Sequence, residues 1–351
     1  MNLLLSATSP FPLVLAIFLF SLLIVLGAAA WFTRRLEAVC DRLDLSAGML
    51  SILGALGANI PNYVASIVAI ANGQQDIGLG IIIGSNIYNL AIILGISTMA
   101  APGSHGIRLQ HKEKRDVVTI AYYALAITVA TLVAIWLLPG KQLVNGIRAS
   151  LLMLLPLIIA VILTLAIFSS LVLHIVRRPH PSHAGVIVKQ NVTLKTVPTS
   201  LGRLIAEIVL ALVIALGGVI VMVQSGQQLT ADLHMPPVLA GLLVLAVATS
   251  LPNTVVAVIL VRTGRMAACV EEIFSSNSIN AALGIALPLL LWRDLLQDHL
   301  LLLLDGPFIV LLTLGIIVCI RIGRVNRVVG LFLLLSYASW VGLHLLVSAR
   351  L

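Results

Sequence analysis

The chain has 351 residues, of which 60% are hydrophobic and 10% charged, with a formal net charge of +8 and a mean hydropathy of +1.14. A soluble domain carries roughly 45–50% apolar residues, so this composition excludes a soluble fold and describes one polytopic membrane domain. The positive charge does not mark a nucleic-acid binder, because Lys and Arg lie in short loops between apolar runs and no basic face is interleaved with aromatics.

Ten apolar spans are predicted in chain order: 11–32, 45–71, 77–101, 117–138, 147–175, 201–224, 238–261, 266–291, 300–320 and 328–347. The first resembles a leader peptide only superficially. It lacks a basic n-region and is followed at once by Arg34 and Arg35, which reads as a retained span. Gly and Pro within several spans are compatible with membrane helices where neighbouring groups satisfy the freed backbone.

The loops orient these spans. Those after spans 1, 3, 5, 7 and 9 hold 17 of the 21 basic residues, and the other side has only Lys141, Arg148, Arg293 and Arg350. By the positive-inside rule both termini face outward and the odd loops face the cytoplasm. Segment 176–200 then reads as a polar cytoplasmic linker between two halves, 1–175 and 201–351. His180 and His183 in it have no Cys or acid beside them and make a poor metal site. Cys40, Cys269 and Cys319 are too few and too scattered for a disulfide framework, and read as reduced structural thiols.

Two stretches repeat. GALGANIPNYVASIVAIANGQQDIGLGIIIGSNIYN, residues 54–89, is answered by VATSLPNTVVAVILVRTGRMAACVEEIFSSNSIN, residues 247–280. Pro61-Asn62 matches Pro252-Asn253, and Ser85-Asn86 matches Ser276-Asn277, both at an offset of 191 residues. The first hairpin turns on the outside and the second on the inside, so the halves form an inverted repeat of five spans plus five. Interrupted apolar hairpins in matching positions of two halves point to a transporter's substrate site.

The two stretches resemble the paired alpha-repeats of the cation/calcium exchanger superfamily, about 54–95 and 245–285 here. In that family a Pro-Glu pair is followed, 23 residues after the acid, by Gly-Ser-Asn and a further Asn or Asp. Asn62 to Ser85 and Asn253 to Ser276 both span 23, and Asn89 and Asn280 each lie four residues beyond their serine. The resemblance implies an all-α fold of ten transmembrane helices with a mid-membrane ion site. It also implies that the family's glutamates, the principal Ca²⁺ and Na⁺ ligands, are replaced here by Asn62 and Asn253, and a third acid by Asn280. Ala58 and Asn59 stand where hydroxyl residues are usual, while Thr249 and Ser250 are kept.

The residues themselves lead to the same centre. Pro61 and Pro252 cannot donate backbone hydrogen bonds, which frees the carbonyls of Gly57 and Ala248. Ser85 and Asn89, like Ser276 and Asn280, share a helix face at a spacing of four. The expected cage is Asn62, Ser85, Asn89, Thr249, Ser250, Asn253, Ser276 and Asn280. The alternative for each is interhelical hydrogen bonding alone, worth about 0.6–2 kcal/mol apiece. Ca²⁺ takes six to eight oxygens and relies on carboxylates, so a carboxylate-free cage makes Ca²⁺ doubtful and favours a monovalent cation held by neutral oxygens.

Because Asn does not titrate, the intramembrane acids bear on coupling. Glu272 falls on one face with Ser276 and Asn280 and is a possible displaced carboxylate; the other reading pairs Glu271 and Glu272 with Arg262 or Arg265. Glu207 follows Arg203 by four residues and reads as a structural i,i+4 pair.

The expected function is exchanger-type ion antiport by alternating access, with small ions and the bilayer as partners and no nucleic acid or nucleotide. The alternatives are a transporter-fold subunit without ion exchange, serving a regulatory or partner-binding role, and a transporter of a non-cation solute. No P-loop, GxSxG, HExxH or nucleotide fingerprint occurs. Neither an enzyme nor a cofactor is expected, and an ion gradient supplies the energy. The short linker points to a prokaryotic inner membrane. Stoichiometry and oligomeric state leave no mark in the sequence.

Overall fold

The computed structural model describes residues 10–43, 47–103, 105–137, 151–177, 200–291 and 300–348. The greater part of the linker, with His180 and His183, lies outside the described residues, as do the basic residues Lys141, Arg148, Arg178, Lys189, Lys195, Arg293 and Arg350. The described chain is nearly all helix: α1 (Phe11–Arg42), α2 (Ala47–Ala58), α3 (Ile60–Ala71), α4 (Gln75–Ala100), α5 (His111–Trp136), α6 (Leu151–Val176), α7 (Leu201–Asp232), α8 (Pro237–Arg262), α9 (Met266 to Leu291), α10 (Leu301–Ile322) and α11 (Arg327–Ser348).

Among the described residues eight of these helices are long and apolar enough to cross a membrane, and α2 with α3 forms a bent ninth. Helix α9, which carries Glu271 and Glu272, packs within the bundle and is buried along most of its length. Burial separates inner from outer helices. In α4, 94% of the apolar window is buried, against 28% in α6 and α7 and 22% in α11. Leu303, Val328, Trp136 and Phe20 point outward with two thirds or more of their surface exposed. That is the surface a multi-pass protein offers to lipid, whereas Ile82, Ile87, Ile120, Leu171 and Phe274 fill the interior.

The second expected span, 45–71, is two helices meeting at 43°. Pro61 follows the bend directly. The Asn59 amide still donates to the Ala55 carbonyl at 3.1 Å, and the Asn62 amide then closes a tight turn onto the Asn59 carbonyl at 2.9 Å. The matching position in the second half behaves differently. Pro252 lies inside one uninterrupted helix, Ala246–Arg262, so no break falls at Ala248. The irregularity sits upstream instead, in a π-helical stretch Ala240–Leu245. Widened π turns also begin at Asn89 in α4 and at Asn280 in α9, positions 191 residues apart, and at Leu301 in α10. Such turns are rare and concentrate at functional sites.

Both hairpin turns are closed by glycines at the repeat offset. Gly73 has φ +78° and Gly264 φ +80°, a region that side-chain-bearing residues avoid. Close backbone approach accounts for a second pair: a Cβ on Gly84 would lie 2.4 Å from the Leu242 carbonyl oxygen, and one on Gly241 would lie 2.5 Å from that of Ile77. Helices α4 and α8 therefore cross nearly backbone to backbone, which brings the two expected cage segments together. At the bundle edge α1 and α7 pair along their length. Glu207 accepts from Arg203 at 3.0 Å, as the i,i+4 spacing predicts, and also meets Arg35 of α1 at 2.5 Å.

Candidate functional site

The site is built where the bend between α2 and α3, the π turns of α4 and α9, and the Pro252 region of α8 converge. Asn59, Asn62, Ser85, Asn89, Thr249, Ser250, Asn253, Ser276 and Asn280 are all fully buried, and Asn86, Asn277 and Glu272 nearly so.

One part of the site is two-fold in pattern. The Asn86 carboxamide donates to the Asn277 carbonyl at 3.3 Å, and the Asn277 carboxamide donates back to the Asn86 carbonyl at 3.1 Å. Asn89 donates to the Asn277 Oδ1 and Asn280 to the Asn86 Oδ1, each at 2.9 Å. Every bond has its counterpart 191 residues away. The four carboxamides thus hold α4 and α9 together through side chains that already satisfy one another.

The other part is asymmetric and centres on Asn59. Its Nδ2 donates to the Ala55 carbonyl at 2.6 Å and to the Ser276 Oγ at 2.7 Å. Its Oδ1 accepts from Asn62 at 3.0 Å and from Asn253 at 2.8 Å. The residue at the repeat offset from Asn59 is Ser250, whose buried Oγ has no hydrogen-bond partner among the described residues. Asn62 also approaches the Asn280 Oδ1 at 3.5 Å, which links the two parts.

Ser276 passes the network to a carboxyl group. Its Oγ donates to Glu272 Oε1 at 2.9 Å, giving a continuous chain Glu272–Ser276–Asn59–Asn62 and Asn253. Glu272 forms no ion pair among the described residues, and its Oε2 is buried without a hydrogen-bond partner. The oxygens left over are three amide oxygens, Asn62 Oδ1, Asn89 Oδ1 and Asn253 Oδ1, one hydroxyl, Ser250 Oγ, and one carboxyl oxygen, Glu272 Oε2, all buried without a hydrogen-bond partner among the described residues. A buried acceptor without a donor is costly. Among the described residues no three His, Cys, Asp or Glu side chains converge as a metal site would require.

The other expected residues bond to main-chain carbonyls. Thr249 donates to the carbonyls of Leu245 and Ala246 on its own helix, at 2.7 and 3.2 Å. Ser85 reaches the Ala246 carbonyl across helices at 3.4 Å. Gly57 lies against the Phe32 ring. The expected cage left out three central residues, Asn59, Asn86 and Asn277, although the offset of 191 residues had already matched Asn86 with Asn277.

The fold and this buried polar centre define a multi-pass α-helical membrane protein of transporter type. The family model for sodium/calcium exchanger protein matches residues 13–175 and 203–346, and the chain belongs to that family, one of transporters and not of enzymes. Similar segments occur in a putative antiporter CaxA of Alkalimonas amylolytica, 45% identical over 60 residues, 17% of this chain and 18% of that one. The human sodium/potassium/calcium exchanger 4 is 32% identical over 72 residues, 20% of this chain and 12% of that one. The sodium/calcium exchanger MaX1 of Methanosarcina acetivorans is 28% identical over 87 residues, 24% of this chain and 25% of that one. The matched segments therefore span a quarter or less of these relatives. The fold as a whole is similar to the sodium-calcium exchanger NCX_Mj, with a TM-score of 0.64 at 17% identity over 95% of this chain and 99% of that one.

Proposed function

We propose that this chain is a secondary active ion transporter that works by alternating access around the buried amide centre and exchanges monovalent cations in preference to Ca²⁺. The observation that carries the reading is the set of uncommitted buried oxygens, four of them neutral and one from a carboxyl group. One carboxylate balances one monovalent charge. A divalent ion would keep a net positive charge in a medium where an uncompensated ion costs several kcal/mol. Neutral oxygens suffice to replace the hydration shell of Na⁺ or K⁺, while Ca²⁺ affinity rises with the number of carboxylates.

In this reading Glu272 supplies the coupling charge, delivered to the centre through Ser276. The halves 1–175 and 201–351, joined by the linker 176–200, act as inverted repeats of five spans each, with both termini outside a prokaryotic inner membrane. The bend at Asn59 and the π turns at Asn89 and Asn280 lie where such a site needs backbone able to rearrange. Energy comes from an ion gradient, and no cofactor takes part.

A second reading, a transporter-fold subunit without ion exchange, draws on one observation. The carboxamides of Asn86, Asn277, Asn89 and Asn280 bond mainly to one another, as a structural clasp would. Flux of radiolabelled sodium and calcium into proteoliposomes under imposed Na⁺, K⁺ and pH gradients separates the two. Sodium flux without calcium flux supports the proposal, calcium flux driven by sodium overturns the selectivity, and no flux under any gradient favours the clasp.

A further inference from the structure

Outside the amide centre, α10 and α11 bury a second polar cluster. Asp305 is fully buried, and His344 and Trp340 are nearly so. One oxygen of Asp305, Oδ1, accepts from Trp340 Nε1 at 2.7 Å and meets His344 Nε2 at 2.7 Å. The other, Oδ2, is buried with no hydrogen-bond partner among the described residues. Asp305 closes the π-helical stretch Leu301–Asp305, and His344 lies one turn beyond Trp340 on the last helix. Intramembrane carboxylates are costly and rarely idle.

The cluster is firmly packed. Trp340 stacks on Phe308 at 6.1 Å, meets Tyr337 at 5.4 Å and presents an edge to His344 at 5.0 Å. Tyr337 in turn touches Tyr88 of α4 at 5.9 Å. Helices α4 and α5 also pack against the Asp305 turn, and the far part of α4 packs against α11. Their titratable groups are few near the pair. Tyr337 and Tyr88 approach it through Trp340, and Asp76 stands in the first turn of α4, at the same end of the bundle. The charged residues of α5 from His111 to Asp116, and Arg321 and Arg327, lie at the opposite end. His344 is thus the one ionisable side chain in contact with the Asp305 carboxyl group among the described residues.

We infer that Asp305 and His344 form a proton-binding site, separate from the amide centre, with the His344 imidazole as the group that takes up the proton. With Nε2–H directed at the carboxylate, the free lone pair is on Nδ1. A proton from water bonds to Nδ1, the imidazole becomes imidazolium, and the pair passes from a net charge of −1 to zero while keeping its 2.7 Å contact. A net buried charge is far less favourable than a neutral, hydrogen-bonded pair. Trp340 reports the event, because its indole N–H shares the same carboxylate oxygen.

The test is a ¹⁵N NMR titration of the full-length protein in detergent micelles, across about pH 5 to 8, where an imidazole can change charge. It reads binding of the proton and needs no transport assay, so it stands whether or not the chain exchanges ions. The His344 ring signals are assigned by their loss in His344→Gln, and the Trp340 indole signal by its loss in Trp340→Phe. The expected result is that Nδ1 of His344 and the Trp340 indole shift together as the pH changes, and that Asp305→Asn uncouples the two. If Asp305→Asn fails to fold, the wild-type titration alone decides. A His344 Nδ1 signal that does not change with pH, or that changes without the Trp340 indole following, overturns the proposal.

Discussion

Asn86 and Asn277 exchange side-chain hydrogen bonds with each other's main-chain carbonyls, at 3.3 and 3.1 Å, across the interface of α4 and α9. The exchange makes each residue both anchor and partner, and each main-chain carbonyl also accepts an amide of its own helix, from Asn89 and Asn280 respectively. Asn277→Ala removes the acceptor of the Asn89 carboxamide, and Asn86→Ala removes that of the Asn280 carboxamide. Each single substitution is expected to cost about 1–3 kcal/mol, the penalty for an orphaned buried group. Each bond ends on a main-chain carbonyl that alanine retains, so the double substitution should cost about the sum of the two. Thermal unfolding of all four proteins in detergent measures this, and strongly non-additive losses would show that the two bonds do not act independently.

This pair also shows how far the chain could be read without coordinates. The two repeats were legible because apolar runs and motif offsets survive in one dimension, and the Pro-Asn and Ser-Asn pairs share one offset of 191 residues. The face argument chose Ser85 with Asn89 and Ser276 with Asn280 by a spacing of four. Asn89 and Asn280, where the π turns begin, do reach the opposing helix, but their partners there are Asn277 and Asn86, which the face argument left out. Asn59 was hidden for a different reason. Its repeat counterpart is Ser250, so pattern matching has nothing symmetric to detect, and its place at the centre follows from the bend before Pro61. The unbroken helix through Pro252 was equally illegible, because proline predicts a strained position but not whether an upstream π turn will absorb it.

Restoring charge tests the selectivity argument. Asn62→Glu combined with Asn253→Glu places two carboxylates beside the Asn59 carboxamide, which both residues now contact. Without ions the two like charges should lower the melting temperature, and Ca²⁺ should raise it again by mass action. Isothermal titration calorimetry is expected to detect Ca²⁺ binding in the double variant and none in the parent. Equal binding in both would mean that the amides are not what sets selectivity.

The crossing of α4 and α8 makes a steric prediction with a built-in control. Gly84→Ala and Gly241→Ala each force a methyl group to within 2.4 or 2.5 Å of a main-chain oxygen on the opposing helix. The helices have to separate, at about 1–3 kcal/mol for overpacking, and the cage segments move apart with them. Gly73→Ala faces open space but keeps φ at +78°, and should cost about 1–2 kcal/mol through backbone strain alone. Unfolding of all three, compared with sodium affinity, distinguishes the mechanisms. The crossing variants should lose both stability and affinity, and the turn variant only stability.

Glu272→Gln isolates the one carboxyl group attached to the centre. The substitution keeps an acceptor for the Ser276 hydroxyl, 2.9 Å away in the native protein, so the path through Ser276 to Asn59 should survive. What is lost is the negative charge. In the native protein a proton on Glu272 removes that charge and competes with the cation, so cation binding should weaken as pH falls and strengthen as pH rises until the carboxyl group is fully ionised. The variant lacks the charge at every pH. Its cation affinity should match that of the protonated native protein and stay flat across the same range. Sodium uptake by proteoliposomes at a series of equal internal and external pH values reads both curves. If the variant retains the native pH profile, Glu272 is a structural partner of Ser276 and the coupling charge lies elsewhere.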